Sequence, residues 1–365
     1  MLDTRASAFV RKRLQDVSLI ETPMHKHCRV CVVVPIYREP VHRVVNLLVS
    51  LARQQVLSEG DIEVLCVVNN GPDDGTNAWK AVKQSNALVM DLPLWRNSDG
   101  FGSHLRFPTE VLEACSEVRS VFPVYAINEP ELATGTVGEA RNRGLAEAAV
   151  RFDRQGKNGL VIFLDADVVI DDPNYLSQAL RLFEQDKEIV AVSGGVKLVF
   201  DPDTRDETER LRLDALVERF LRRRRYQFLE RFRQGEATRL MPSDAFVGQH
   251  ILARSADAAA WQGFPDWKSG EDTEFGNRAK QYAMQEGKRV IDKKVELTVV
   301  NAIRDSDRTG ASLKWKLEEE ASLTPVSEES YARLESLVAA SDEGRALVDH
   351  IDEVARIVWD DRQKV

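Results

Sequence analysis

The sequence has no long hydrophobic run. No apolar stretch among its 365 residues approaches the roughly 18 residues that a membrane-spanning helix needs. Residues 1–20 carry basic side chains but lack the apolar segment of a secretory signal. We therefore expect a cytoplasmic protein without a transmembrane segment.

Positive charge does not predominate either. Lys and Arg number 50 against 59 Asp and Glu, which gives a formal net charge of −9, and the sequence pI is about 5.4. A general nucleic-acid binder carries a basic surface, so this balance argues against nucleic acid as a partner. The length allows one large hydrophobic core or two moderate ones.

Cysteine is scarce as well. The four cysteines, Cys28, Cys31, Cys66 and Cys115, are too few for a disulfide scaffold in a chain of this length. Cys28 and Cys31 form a C-x-x-C just after two histidines, a spacing that also occurs in zinc sites. However, this pair runs into a predicted strand, in which side chains three residues apart point to opposite faces. No second pair completes a four-ligand set, so we expect ordinary buried cysteines.

The sequence does contain an alternation of apolar strand and helix patterns. Short apolar runs at Val30–Ile36, Ile62–Val68 and Leu160–Leu164 are typical of strands buried on both faces. Val41–Ala52 and residues 138–151 place apolar side chains at helical spacing. Such alternation predicts an α/β fold, with a mostly parallel, Rossmann-like sheet flanked by helices.

The rest of the chain gives further strand and helix predictions. Residues 91–130 are predicted as an irregular insertion around a strand at 121–127. The later segments are a strand at 189–199 broken at Gly194-Gly195, a charged helix at 206–233, strands at 288–300, and a helical tail after residue 312.

An acidic pair follows the central apolar strand, at Asp165-Ala166-Asp167. Ligands of open α/β sheets bind outside the carboxyl ends of such strands. Two carboxylates there offer hard oxygen ligands to a divalent cation, Mn²⁺ or Mg²⁺, which can in turn hold a diphosphate. The alternative is that Asp165 and Asp167 cap a following turn, as aspartate often does.

Six segments, in this order, resemble motifs of family 2 glycosyltransferases, which have the GT-A fold. They are the strand and loop Val34–Glu39, the turn Asn69–Thr76, the A-R-N helix at Gly138–Asn142, the D-x-D at Asp165–Asp167, the acceptor-side segment Gly248–Arg254 with Gly263-Phe264, and the Glu271-Asp272 pair. The match covers residues 30 to 280. It implies an inverting, metal-dependent transfer of a sugar from a nucleotide-diphosphate donor to an acceptor hydroxyl.

The resemblance also implies roles on the donor side. Asp167 would contact the metal directly, and Asp165 would contact it through water or bind the donor ribose. The donor-binding residues would be Pro35, Tyr37, Glu39, Asn70, Arg141 and Asp165. The family usually has an acid in place of Asn70, which accepts a hydrogen bond from the base; an Asn carbonyl also accepts, but its amide donates. For Arg141 the alternative is a solvated helix residue.

On the acceptor side, the resemblance implies that Asp272 is the catalytic base, which takes the proton of the acceptor hydroxyl. Glu271, assigned with it to the catalytic pair, would bind acceptor hydroxyls or position the loop. The alternative is a capping role, because acids in a first helical turn are favoured by the helix dipole.

With the resemblance, the chain divides into an N-terminal arm (residues 1–27), a GT-A domain (28–312) and a helical C-terminal extension (313–365). Within the GT-A domain, the nucleotide-binding half covers about 28–170 and the acceptor half about 171–312. Arg304 and Arg308 are candidates for a loop over the diphosphate, and the lone His250 is more typical of a structural residue.

Two other functions compete with this one. A sugar-phosphate nucleotidyltransferase would need a Gly-rich loop after the first strand, where this chain has Tyr37-Arg38-Glu39-Pro40. A non-catalytic nucleotide-sugar binding protein would be expected to lose its acidic residues, which are intact here. The basic run 222–225 is either a patch for a membrane or an anionic acceptor or, as we favour, the polar face of a long helix. The sequence leaves open the sugar, the nucleotide, the acceptor, a retaining transfer without a base, and the homo-oligomeric state.

Overall fold

The structure, a computed structural model, describes residues 2–15, 18–37, 39–55, 58, 60–70, 76–77, 80, 86–87, 89–90, 118, 121–129, 136–200, 207–235, 250–267, 270–303 and 326–358. In chain order the elements are α1 (Thr4–Leu14), β1 (Val30–Ile36), α2 (Val41–Ala52), β2 (Ile62–Asn69), β3 (Val124–Glu129), α3 (Val137–Asp153), β4 (Leu160–Leu164), β5 (Val168–Val169), α4 (Tyr175–Gln185), β6 (Ile189–Phe200), α5 (Glu207–Arg233), β7 (His250–Arg254), α6 (Ser255–Ala260), α7 (Glu271–Glu286), β8 (Arg289–Ile303), α8 (Glu328–Val338) and α9 (Asp342–Val358).

The chain divides into two compact units. The first consists of Met1–Gly194 and Phe246–Asp292, and the second of Gly195–Ala245 and Lys293–Val365. Strands β6 and β8 each begin in the first unit and end in the second. The domain boundaries expected from the sequence stay a prediction.

The sheet has the strand order β3-β2-β1-β4-β7-β6-β8-β5. Strand β1 pairs in parallel with β2 on one side and β4 on the other, so that Val32 lies between Val64 and Ile162. Strand β3 continues the parallel set beyond β2, whereas β7 is antiparallel to both β4 and β6. The predicted α/β architecture with its parallel core is confirmed, and the antiparallel β7 adds to it.

Strands β1, β2 and β4 are buried along their whole length. This explains why their sequences are continuous apolar runs rather than alternating ones. Because they are parallel, their carboxyl ends meet at one edge of the sheet. The residues that follow each strand are therefore brought together there, and this edge is where the candidate site lies.

Helix α3 packs closely on these strands. A Cβ atom added to Gly144 would lie 2.4 Å from Cγ1 of Val33, so glycine is needed for the helix to approach β1 this closely. Ala140, Leu145 and Phe152 of the same helix belong to the core of the first unit. The N-terminal helix α1 joins this core with Phe9 and its neighbours.

A buried ion pair lies at the far end of helix α3. Arg151 donates from Nε and Nη2 to the two carboxylate oxygens of Glu63, at 2.8 Å each, and from Nη1 to the carbonyl of Thr22 at 2.8 Å. Glu147 on the same helix accepts from the Ser18 hydroxyl. These contacts attach the segment after α1 to the sheet and to α3.

Strand β6 differs from its prediction. It runs unbroken through Gly194-Gly195, where a break was expected. A Cβ atom on Gly194 would lie 2.1 Å from the His250 ring, so this glycine admits a buried histidine rather than ending the strand. His250 is fully buried and its Nε2 lies 2.6 Å from the Tyr175 hydroxyl, which agrees with a structural role.

The described helices of the second unit form a small cluster of their own. Leu229 of α5 packs with residues of α8 and α9, among them Leu334 and Ile351. In the basic run of α5, Arg222 pairs with Glu328 and Arg225 pairs with Asp352. These arginines therefore join α5 to the two later helices.

Among the described residues, no helix has both the length and the apolar character to cross a bilayer.

Candidate active site

The candidate site is built on the edge where β1, β2 and β4 end. Pro35 lies in β1 beside Val67 of β2, and Tyr37 and Glu39 follow it and are partly exposed. Asn70 directly follows β2 and is buried. Asp165 and Asp167 follow β4 and are partly exposed. The strand pairing therefore places the predicted donor-side residues at one edge, as their positions after parallel strands require.

Arg141 connects this edge to the acidic pair of helix α7. From α3 its Nη2 donates to Asp165 Oδ1 at 2.7 Å, and its Nη1 donates to Glu271 Oε1 at 3.2 Å. Its side chain is 2% exposed, so the alternative of a solvated helix residue is wrong. The predicted contact of Arg141 with the donor stays a prediction.

The neighbouring Asn142 fixes the acceptor-side segment. Its Nδ2 donates to the carbonyl of Phe264, and its Oδ1 accepts from the amide N–H of Phe264, both at 2.8 Å. The side-chain amide of Asn142 thus both donates to and accepts from the backbone of Phe264, as the backbone of a neighbouring β-strand would. Gly263 has a φ of +56°, and a Cβ there would lie 2.2 Å from Asn142 Oδ1, which explains the glycine before Phe264.

Thr136 adds a second connection to the same segment. As the N-cap of α3 it accepts from the amide of Glu139, and its hydroxyl donates to Asp266 Oδ1 at 2.7 Å. Its backbone carbonyl accepts from the side-chain amide of Asn69. The start of α3 is therefore tied both to the end of β2 and to the segment ahead of α7.

Asn70 is paired within the protein. Its Oδ1 accepts from Asn86 Nδ2 at 2.9 Å, and the same amide donates to the carbonyl of Asn69 at 3.0 Å. The structure thus shows the Asn70 carbonyl already in use as an acceptor. The turn residues 71–75, which complete the motif resemblance, lie outside the described residues, as do Arg304, Arg308 and Gly248.

The acids of helix α7 have unequal surroundings. Gly270 precedes the helix with a φ of +79°, a conformation that favours glycine. Glu271 is buried and its carboxylate is held by Arg141. Asp272 is partly exposed, and its Oδ1 accepts from the amide of Thr273 at 2.8 Å. The more exposed second acid is the better placed of the two to reach a substrate.

The side chains of the acids after β4 are suitable ligands for a hard divalent cation, because Mg²⁺ and Mn²⁺ prefer carboxylate oxygens. Within the described ranges, no group of three or more His, Cys, Asp or Glu side chains is arranged to hold a metal ion. A pair of carboxylates fits a cation that completes its shell with water and phosphate oxygens.

Three of the four cysteines have the expected buried character, and Cys115 lies outside the described residues. Cys28, Cys31 and Cys66 are free and buried. Burial raises the pKa of the Cys66 thiol to about 12, and it raises the pKa values of Cys28 and Cys31 as well. Thiols of this kind are poor nucleophiles and poor metal ligands.

Sequence reasoning missed several residues that assemble the site. Thr136 was detectable, because Thr136-x-x-Glu139 is the pattern of a helix N-terminus. Asn86 and Asp266 gave no signal, since their partners are distant in sequence. Asn142 was seen only as part of the A-R-N motif, without its role as the partner of Phe264.

No protein-family model matches the sequence, and no relative was found among curated proteins. Among solved structures, the chain is similar to the mannosyltransferase PcManGT from Pyrobaculum calidifontis, in complex with GDP-Man and Mn²⁺. That similarity has 16% identity and a TM-score of 0.41, and it covers 97% of this chain and 92% of that one.

Two further solved structures are similar at comparable levels. S. aureus TarS (residues 1–349) has 14% identity and a TM-score of 0.42, with 90% of this chain and 81% of that chain covered. Glucosyl-3-phosphoglycerate synthase from Mycobacterium tuberculosis, in complex with Mg²⁺ and uridine-diphosphate, has 13% identity and a TM-score of 0.37, with 78% and 75% covered.

Proposed function

We propose that this chain is an inverting, metal-dependent glycosyltransferase of family 2 with the GT-A fold. It transfers a sugar from a nucleotide-diphosphate donor to an acceptor hydroxyl. One observation carries the proposal: Arg141, within the A-R-N motif, contacts both the D-x-D turn and the Glu-Asp pair, across 24 and 130 residues of sequence. Motifs that resemble one family's active site are thus joined in space as a single site would require.

The chemistry assigned to these residues is a single displacement. Asp272 accepts the proton of the acceptor hydroxyl while that oxygen attacks the anomeric carbon of the sugar, and the nucleoside diphosphate leaves with the bonding electron pair. Glu271 stays fixed by Arg141 beside the base. Tyr37, Glu39 and Asn70 line the nucleotide side of the same edge.

The leaving diphosphate requires positive charge, since its negative charge grows in the transition state. Asp165 and Asp167 would hold Mn²⁺ or Mg²⁺. When bound, the cation neutralises the charge of the diphosphate.

A thermal-shift panel tests this function. UDP, GDP, CDP and dTDP are each added with and without Mn²⁺, because a ligand that binds only the folded state adds about 2.7 kcal/mol of stability at one hundred times its Kd. We expect one nucleotide to raise the melting temperature in a Mn²⁺-dependent way. No shift with any nucleotide would contradict the proposal.

The competing functions give different outcomes. A nucleotidyltransferase would respond to a sugar phosphate with a nucleoside triphosphate, yet the loop after β1 has none of the glycines that such an enzyme needs. A non-catalytic binder would show the shift but would leave a nucleotide-sugar donor unchanged in the presence of any acceptor.

A further inference from the structure

Arg141 holds the first acid of each of the two acidic pairs. Asp165 is the first acid of Asp165-Ala166-Asp167, and Glu271 is the first acid of Glu271-Asp272. The two terminal nitrogens of one guanidinium contact one carboxylate each. Since a guanidinium is rigid and planar, these contacts fix the separation of the two carboxylates.

The surroundings of Arg141 leave it little contact with solvent. Its side chain is 2% exposed, against 19% for Asp165 and 12% for Glu271. The guanidinium carbon lies 5.3 Å from the centre of the Phe264 ring, and Phe264 stacks on Phe275 of helix α7. The arginine is thus packed between the acid after β4 and the start of α7, and it is less exposed than either carboxylate that it contacts.

Stability alone does not account for this placement. Buried ion pairs contribute little net stability, because the cost of removing charges from water offsets their attraction. Arg141 also leaves its buried Nε without a hydrogen-bond partner within the described part of the chain, which adds to that cost. By contrast, Arg151 on the same helix uses Nε, Nη1 and Nη2.

We propose that Arg141 is a positioning residue, which sets the distance between the diphosphate-binding acids after β4 and the base at the start of α7. This inference rests on the proposed function. By holding Asp165 and Glu271, Arg141 determines where Asp167 and Asp272 stand relative to one another. Transfer requires this separation, because the base must reach the acceptor oxygen while the leaving diphosphate is held.

The test compares two charge-conserving variants on helix α3, Arg141→Lys and Arg151→Lys. A lysine ammonium keeps the positive charge but is a compact group that cannot bridge two carboxylates as a guanidinium does. Arg151→Lys is the matched control, because it weakens a buried arginine–carboxylate pair on the same helix but away from the acids of the site.

We expect Arg141→Lys to lower the kcat of sugar transfer about 100-fold, as a misplacement of about 1 Å can, with little change in the KM for the donor. Arg151→Lys should lower the melting temperature and leave kcat close to that of the wild type. If Arg141→Lys raises the donor KM and keeps kcat, Arg141 binds the donor directly and the positioning role is wrong.

Hydrogen–deuterium exchange gives a readout that needs no activity. Arg141→Lys should accelerate exchange in peptides covering residues 165–170 or 271–278, because at least one carboxylate is released. Arg151→Lys should accelerate exchange around Glu63 and Thr22 instead. Unchanged exchange in both site peptides would overturn the proposal. Faster exchange in Arg141→Lys, together with a wild-type protein that transfers sugar from no donor, would overturn the proposed function but keep the contact of Arg141 with both acids.

Discussion

Two adjacent carboxylic acids at the start of helix α7 differ in burial and in their contacts, although their side chains have the same chemistry. Glu271 is buried and engaged by Arg141, whereas Asp272 is partly exposed. Both were assigned to catalysis on the resemblance. Glu271 is thus anchored by Arg141, and under the proposed function the more exposed Asp272 is the acid assigned to the acceptor.

The residue-scale prediction concerns Asp272. Asp272→Asn keeps the size and most hydrogen bonds of the side chain but removes the proton acceptor, so we expect kcat to fall by about 100-fold to 10,000-fold. Donor binding, measured as the Mn²⁺-dependent thermal shift with the responding nucleotide, should be unchanged.

Glu274→Gln serves as the control for Asp272→Asn. Glu274 lies in the same helical turn and pairs with Arg278 at 3.1 Å, both side chains being partly exposed, so its loss should change neither stability nor kcat appreciably. A near-normal rate for Asp272→Asn would mean that the base has been assigned wrongly.

Residue identities were predictable from sequence where a motif carried them, but their partners were not. Asp165 and Asp272 were singled out by the motifs that they resemble, and their roles stay predictions. That Arg141 would contact both acidic segments could not be read from spacing, since a helix, a turn and a second helix must first be packed together. The Asn70–Asn86 pair was missed for the same reason.

Among the elements, helix α3 organises the site. Its first turns contact the end of β2 through Thr136, the D-x-D turn through Arg141 and the segment ahead of α7 through Asn142. Its last turns are held by Arg151. The contacts of one helix thus join three of the segments at the site.

The element-scale prediction tests the join between α3 and the segment at Phe264. Asn142→Ala removes two buried hydrogen bonds and leaves the backbone of Phe264 unpaired, so we expect a loss of about 2 to 3 kcal/mol in unfolding free energy. The measurement is the midpoint and slope of urea unfolding, followed by tryptophan fluorescence.

Asn277→Ala is the matched control for Asn142→Ala. Asn277 is exposed on α7, with a single long hydrogen bond of 3.4 Å to Glu274, and its replacement should change stability by less than about 0.5 kcal/mol. Equal midpoints for the two variants would show that the Asn142–Phe264 pair is not a structural join.

Elements were predicted best where the pattern was strongest. Val30–Ile36, Val41–Ala52 and Leu160–Leu164 match their predictions at both ends. Strand β6 was predicted with a break because glycine usually weakens a strand. In the folded protein the strand continues, and glycine is needed at this position because the ring of His250 takes the space that a side chain on Gly194 would fill.

For the whole molecule, the two units have different bases for stability. The first is a sheet with a continuous buried core, whereas the described helices of the second form a small apolar cluster with arginine–carboxylate pairs around it. The parallel sheet was predictable from composition and alternation. The second unit was not, because segments far apart in sequence form it together.

The molecule-scale prediction concerns anionic membranes. With a net charge of −9, and with Arg222 and Arg225 paired to Glu328 and Asp352, the protein should not co-sediment with phosphatidylserine vesicles at about 0.1 M salt, where the Debye length is about 10 Å. The variant Glu328→Gln/Asp352→Asn releases both arginines and should bind more. Equal binding by both proteins would contradict this explanation of the basic run.

The contacts after helix α1 have a practical consequence for anyone who shortens this chain. Residue 27 looks like a natural place to begin, because the strand pattern starts just beyond it. A chain that begins there would lose two hydrogen bonds: the one that the Ser18 hydroxyl donates to Glu147, and the one that the Thr22 carbonyl accepts from Arg151. It would also uncover the apolar surface now occupied by Phe9. Such a truncation would leave buried charges short of partners, and it should yield insoluble protein rather than a shorter folded chain.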